Sequence, residues 1–251
     1  MADCGPVGVL LKWPLLPGSA GVERLTEFMR AAALILAIGM APLAAQSACN
    51  DSPKAGVDWN GCEKQRLMLG KADLKGARIV GADLGGTDLA NASLAGADLS
   101  RASLERVRLS GADLSGAKLV ETSAYRANFT GAKLVGADLT KAEMIRTNLK
   151  SADLGNANLE KAEFPRSSLE DANLKGANLS GADLARTNLS KAGLAGAKFT
   201  NARMFRTRLE GVDLSGVIGL TQPQLESACG DKQTKLPGGL KPGAAWPCSK
   251  E

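Results

Sequence analysis

From Leu67 to Leu214 the chain repeats every five residues without an insertion. Every fifth position from Leu69 to Leu214 is a centre, giving 30 centres of which 23 are Leu. The exceptions are Ile79, Ala124, Phe129, Met144, Phe164, Phe199 and Met204. A small residue stands two positions before every centre but the first, where Leu67 stands, and it is Ala in 21 of the 30 cases. The unit reads A-D/N-L-x-x, as in Ala97-Asp98-Leu99-Ser100-Arg101. A period of five matches neither the 3.6 of an α-helix nor the 2 of a strand. It suits short extended segments separated by turns, with turn formers such as Gly76, Gly81, Gly96 and Gly111 at the last position. Ala and Leu then both face one axis, and the interior is narrow. Stacked coils pair their backbones at ~4.8 Å. One coil buries too little to be stable, so many must stack and the ends must be capped.

A second period overlies the first. Arg106, Arg126, Arg146, Arg166, Arg186 and Arg206 fall 20 residues apart, and Thr147, Ser167, Thr187 and Thr207 each follow one of them. Gly76, Gly96, Gly116, Gly136, Gly176, Gly196 and Gly216 form another 20-residue series, broken by Asn156. Four units of five make a coil of 20, so each series should stack along one side. The tandem A-D/N-L-x-x units resemble the pentapeptide-repeat family over about 150 residues. That resemblance implies an all-β fold, a right-handed quadrilateral β-helix with four pentapeptides per coil. Thirty repeats then make about 7.5 coils and a rod roughly 36 Å long.

The composition narrows the chemistry. Aromatic residues are only 4% of the chain, as a thin Ala/Leu interior requires. There is no His, which removes the commonest general base and metal ligand. No Ser or Cys stands beside a recognisable base, and no Gly-rich loop follows a strand and opens a helix. Asp or Asn precedes the centre in 15 of 30 units. Such recurrence points to a short polar side chain that satisfies nearby backbone, not to acid/base work. The expectation is a protein that is not an enzyme, with no cofactor and no metal. Between Leu69 and Ile218, 21 Lys/Arg are interspersed with 17 Asp/Glu, unlike the block of charge on a strong nucleic-acid binder.

Residues 1–48 read as a leader. Met29-Arg30 precedes the apolar run from Ala31 to Ala41, followed by Pro42 and small residues to Ala48. A basic start, an apolar run and a small-residue exit describe a secretory signal peptide. The run is short for a membrane span. The reading is translation from Met29 and cleavage after Ser47, with an uncleaved anchor as the alternative. A periplasmic or secreted location follows, with no stable membrane span after cleavage. Cys49 and Cys62 precede the repeats, Cys229 and Cys248 follow them, and Cys4 lies in the leader. In an oxidising compartment the two local pairs read as disulfides pinning the caps. A metal site is the weaker reading, because spacings of 13 and 19 lack the C-x-x-C form. The domain reading is a leader at 1–48, an N-terminal cap at 49–68, the solenoid at 69–218 and a C-terminal cap at 219–251. Trp59 reads as a lid over the first coil. Thr221 to Gln224 has the T-x-x-Q form of a capping box that opens a short helix.

The Arg series is the best candidate site. Just before it, Tyr125, Ile145, Pro165 and Phe205 should point outward, with Glu105 and Ala185 between them. Glu143, Glu163 and Asp183, each three residues before an Arg, should partly neutralise the row. A basic stripe beside an apolar one suits an acidic protein, a polyanion or an anionic envelope surface. The plainer reading, and from the sequence the stronger, is a corner that prefers x-R-T/S, with stacked hydroxyls and solvated Arg. The expected function is a non-catalytic exported scaffold, structural or protein-interacting, whose partner is an unknown protein or an anionic envelope component. The alternative is polyanion or envelope-surface binding through the Arg stripe. The resemblance adds another, since some members of the family mimic duplex DNA and bind DNA gyrase. That requires a strongly acidic cytoplasmic rod, and this one is slightly basic with an export-like leader. Nucleic acid is not an expected partner.

Overall fold

A computed structural model of the chain describes residues 49–249. The leader reading for residues 1–48, its start at Met29 and Cys4 lie outside the described residues.

Within the stack, an A-D/N-L-x-x unit places all five of its backbone N–H groups. In Ala97–Arg101, the Ala97 N–H closes a turn onto the Leu94 carbonyl, and the Asp98 N–H reaches Ala77 in the preceding coil. The Leu99 and Arg101 N–H groups reach Lys118 and Val120 in the following coil. The remaining N–H, on Ser100, donates to Asp98 Oδ1 at 3.0 Å. Leaving any of them unpaired inside the fold would be costly, which explains the unit. All 15 Asp and Asn residues before a centre accept this bond, at 2.8–3.3 Å. From residue 71 to residue 211 each turn ends on a residue with φ between 54° and 72°. A type II turn asks for positive φ only there.

One residue of nearly every unit pairs in parallel with its counterpart 20 residues on, from Asp58 with Arg78 through Lys198 with Ile218. The coil is therefore four-sided, and its ladder already runs at Asp58. At the other end Arg208 pairs with Cys229 and Asp213 with Lys235, so the spacing stretches beyond 20. The extra residues form a short helix, α1 (Gln222–Ser227), on one side. Leu and Ala columns fill the bore and are fully buried. Phe129, Phe164 and Phe199 are the largest interior rings along the repeats. They stand more than one 20-residue coil apart along the chain, so no two compete for one level.

Both ends are closed. Trp59 is 1% exposed, donates from Nε1 to the Asp51 carbonyl at 3.1 Å and carries Lys64 Nζ 4.3 Å above its ring. It covers the first coil, strapped by the Cys49–Cys62 disulfide. The second disulfide joins Cys229 to Cys248. Gln224 Oε1 accepts from the Thr221 N–H, the contact expected of T-x-x-Q. Its Nε2 donates to the Phe199 and Ala202 carbonyls, both at 2.8 Å. In the repeat pattern the Ala202 carbonyl would meet the N–H of residue 223. That residue is Pro223, which has none, so the Gln224 side chain supplies the donor. Leu225 is fully buried against the end of the core.

Candidate interaction face

The turn geometry puts Arg106, Arg126, Arg146, Arg166, Arg186 and Arg206 on one corner. All six are exposed, with φ of 54–61°. Arg66 belongs to the same corner, because its N–H meets the Gly85 carbonyl as the repeat pattern requires and its side chain lies under Gly86. Sequence reasoning missed Arg66 because Lys64 occupies the centre of that unit, which hides the register. The 20-residue spacing back from Arg106, through Gly86, was the available signal.

The expected neutralisation of the row does not occur. Among the described residues no carboxylate lies within ion-pair distance of the six Arg. Glu143 and Glu163 pair with none of them, and Asp183 pairs with Arg203 instead. Arg203 lies directly above Asp183 on the outward-facing strand position, so it competes better than the turn residue Arg186. Elsewhere basic groups find acids one coil away: Arg101 with Glu121 at 3.2 Å, Lys150 with Glu170 at 3.1 Å, and Arg108 with Asp88. Three of the corner Arg residues contact aromatic groups. Arg126 lies over the Tyr125 ring at 5.1 Å, Arg206 over the Phe205 ring at 5.4 Å, and Arg146 Nη1 donates to Tyr125 Oη at 3.3 Å. Phe205 is 50% exposed, while Tyr125, Ile145, Pro165 and Ala185 are half-buried. The outward apolar stripe is therefore real but shallow, except at Phe205.

The same corner also lacks acceptors of its own. The residues before its centres include Ser103, Ser123, Glu143 and Glu163 in four successive coils. On the other three sides such gaps are isolated until the last coil. Among the described residues, the N–H groups of Glu105, Tyr125 and Ile145 have no protein acceptor. Pro165 has no N–H to satisfy. The corner thus offers guanidinium groups and free backbone donors together.

The hydroxyl series stacks as expected, but inside the rod. Thr147, Ser167, Thr187 and Thr207 are buried. Thr187 Oγ1 donates to the Phe164 carbonyl and Thr207 Oγ1 to the Leu184 carbonyl, each at 2.7 Å. Ser167 Oγ accepts the Thr147 N–H at 2.9 Å and donates to the Met144 carbonyl. No buried side-chain N or O among the described residues lacks a partner. These hydroxyls are structural and do not line the face. Among the described residues no group of three or more metal-ligating side chains converges.

The sequence matches the profile of the family described as pentapeptide repeats in 8 copies, over residues 69–106, 108–144, 142–181, 167–204 and 177–216. Among solved structures, HetL, a pentapeptide-repeat protein involved in heterocyst differentiation regulation from the cyanobacterium Nostoc, is 30% identical. The match covers 69% of this chain and 84% of HetL, with a TM-score of 0.42. A trypsin-treated variant of QnrB1, a plasmid-mediated fluoroquinolone resistance protein, is 23% identical. That match covers 68% of this chain and 85% of QnrB1, with a TM-score of 0.55, and shows a shared right-handed quadrilateral β-helix. Among curated proteins none matches. With its repeats spanning most of the chain, this protein belongs to the pentapeptide-repeat family.

Proposed function

We propose that the protein is an exported, non-catalytic scaffold that docks an acidic protein partner along the Arg corner. One observation carries the reading: six exposed Arg residues share a corner without an ion pair, in a rod whose other sides pair many of theirs. Adjacent guanidinium groups one coil apart repel by roughly 0.8 kcal/mol in water, less in salt. A partner's carboxylates would relieve that repulsion. They would also occupy the place that Asp and Asn oxygens fill elsewhere, accepting from the free N–H groups of Glu105, Tyr125 and Ile145. Export is supported by the signal-like leader and by two cap disulfides, which persist in oxidising compartments. The near-balanced, slightly basic repeat segment weighs against mimicry of DNA.

The test compares Arg146→Glu with Arg166→Glu against a control, Lys118→Glu with Lys133→Glu, which changes net charge equally on other sides. Binding to a fluorescent poly-glutamate peptide is expected to fall strongly in the Arg pair only, with a difference that shrinks as salt rises. Equal binding by both pairs would reduce the row to a solvated corner. Cell fractionation with N-terminal sequencing tests the export half: a mature chain near Ala48 is expected, and a cytoplasmic product retaining Met1 would sink it.

A further inference from the structure

Where the Arg corner reaches the C-terminal cap, the convex rod acquires a concave site. A cleft of about 390 Å³ opens there, with Arg186, Arg206 and Arg208 on the rod side and Ala245, Pro247 and Ser249 on the cap side. The cap side is a strap folded back over α1. The Cys229–Cys248 disulfide ties it down, the Cys248 N–H donates to the Gly230 carbonyl at 3.1 Å, and Trp246 Nε1 donates to the Ala228 carbonyl at 3.2 Å. Gly230 lies under the Trp246 ring, where a Cβ would come within 2.6 Å of it. The strap is thus a fixed wall.

Among the described residues the charges in the cleft do not cancel. Arg208 is held by Glu210, with Nη2 to Oε1 at 2.7 Å. Asp183, three residues before Arg186, is held by Arg203. Among the described residues no carboxylate pairs with Arg186 or Arg206, which leaves two positive charges facing the strap. A carboxylate would neutralise one of them; a phosphate dianion neutralises both and matches the guanidinium fork with several oxygens. The cleft volume lies at the small end of ligand sites, and Ala245 and Pro247 offer an apolar surface beside the charged one.

We propose that this cleft binds a phosphomonoester group carried on a small organic body. The site does not depend on the acidic-partner reading of the whole corner, and the two fail separately. Isothermal titration of the full chain with phenyl phosphate should show saturable binding at one site. The same titration with benzoate should show affinity lower by about tenfold, the worth of one charge-assisted interaction. Arg186→Gln with Arg206→Gln should weaken phenyl phosphate binding by tenfold or more on the same scale. Arg126→Gln with Arg146→Gln, on the same corner but away from the cap, should leave it unchanged. Ala245→Asp, which places a carboxylate on the exposed strap, should abolish it. Absence of binding, benzoate bound as tightly as phenyl phosphate, equal losses from the two Arg pairs, or full binding by Ala245→Asp would each overturn the proposal.

Discussion

At Gly136 and Arg146, half a coil apart, the backbone turns with φ of 64° and 56°. The residues around these two corners differ outside and inside. The Gly corner carries Gly76, Gly96, Gly116, Gly136, Gly176 and Gly196, each followed by a buried Ala. The opposite corner carries Arg from 106 to 206, and its later Arg residues are each followed by a buried Thr or Ser. Glycine adopts this φ without cost, whereas other residues are disfavoured there by about 1 kcal/mol. The fold therefore asks for a turn at both corners and for Arg at neither. Other corners also carry non-glycine residues at this φ, among them Arg101, Glu121, Lys141 and Lys161, but only the Arg corner repeats one residue type in six successive coils.

The sharpest way to break this comparison lies behind the Gly corner. Ala137→Leu should overfill the narrow bore and lower stability by about 1–3 kcal/mol or more, measured by urea unfolding. The outward Asp138→Ser should cost much less. Similar losses from both would mean that the inward and outward assignment is wrong. Behind the Arg corner, Thr187→Val keeps the shape but removes the bond to the Phe164 carbonyl, which still accepts from the Ser167 N–H. A loss of about 1 kcal/mol is expected; no loss would make the buried hydroxyl column incidental.

The corners themselves can be exchanged. Gly136→Ala meets no atom within 4 Å, so its cost should be the backbone term alone, about 1 kcal/mol. Arg146→Gly should leave stability unchanged or raise it by up to about 0.5 kcal/mol. A clear destabilisation by Arg146→Gly would show that the Arg row holds the rod together after all.

The smallest effect concerns acid. Asp213 is held down to about 2 from 3.8 by the Ser215 hydroxyl and N–H and by Lys235. Asp231 is lowered too, first by the Gly211 N–H. Groups lowered on folding contribute stability that is complete above their unfolded values and is lost as pH falls through the folded ones. The C-terminal cap should therefore loosen between about pH 4 and pH 2, seen as faster amide exchange near Gly211 and Ser215. Its loosening instead as pH rises from neutral would contradict the assignment.

The five-residue period alone dictated a narrow solenoid, because only a short segment followed by a turn can return two apolar positions of every five to one axis; the 20-residue period and the family resemblance gave it four sides. The nested period of 20 placed the Arg residues on one corner for the same reason. Even the Asp and Asn before each centre were legible as backbone acceptors, since a short polar side chain two residues from a free N–H has little else to reach. What the sequence could not decide was which charges meet. Glu143, Glu163 and Asp183 are near the Arg row along the chain, yet ion pairs here form mostly between coils, where Asp183 finds Arg203. Nor could it show that the row ends in a cleft. That concavity exists only because α1 breaks the period and the disulfide folds the strap back beside Arg186 and Arg206. Local spacing sets the coil, and contacts one coil or one cap away set the surface it offers.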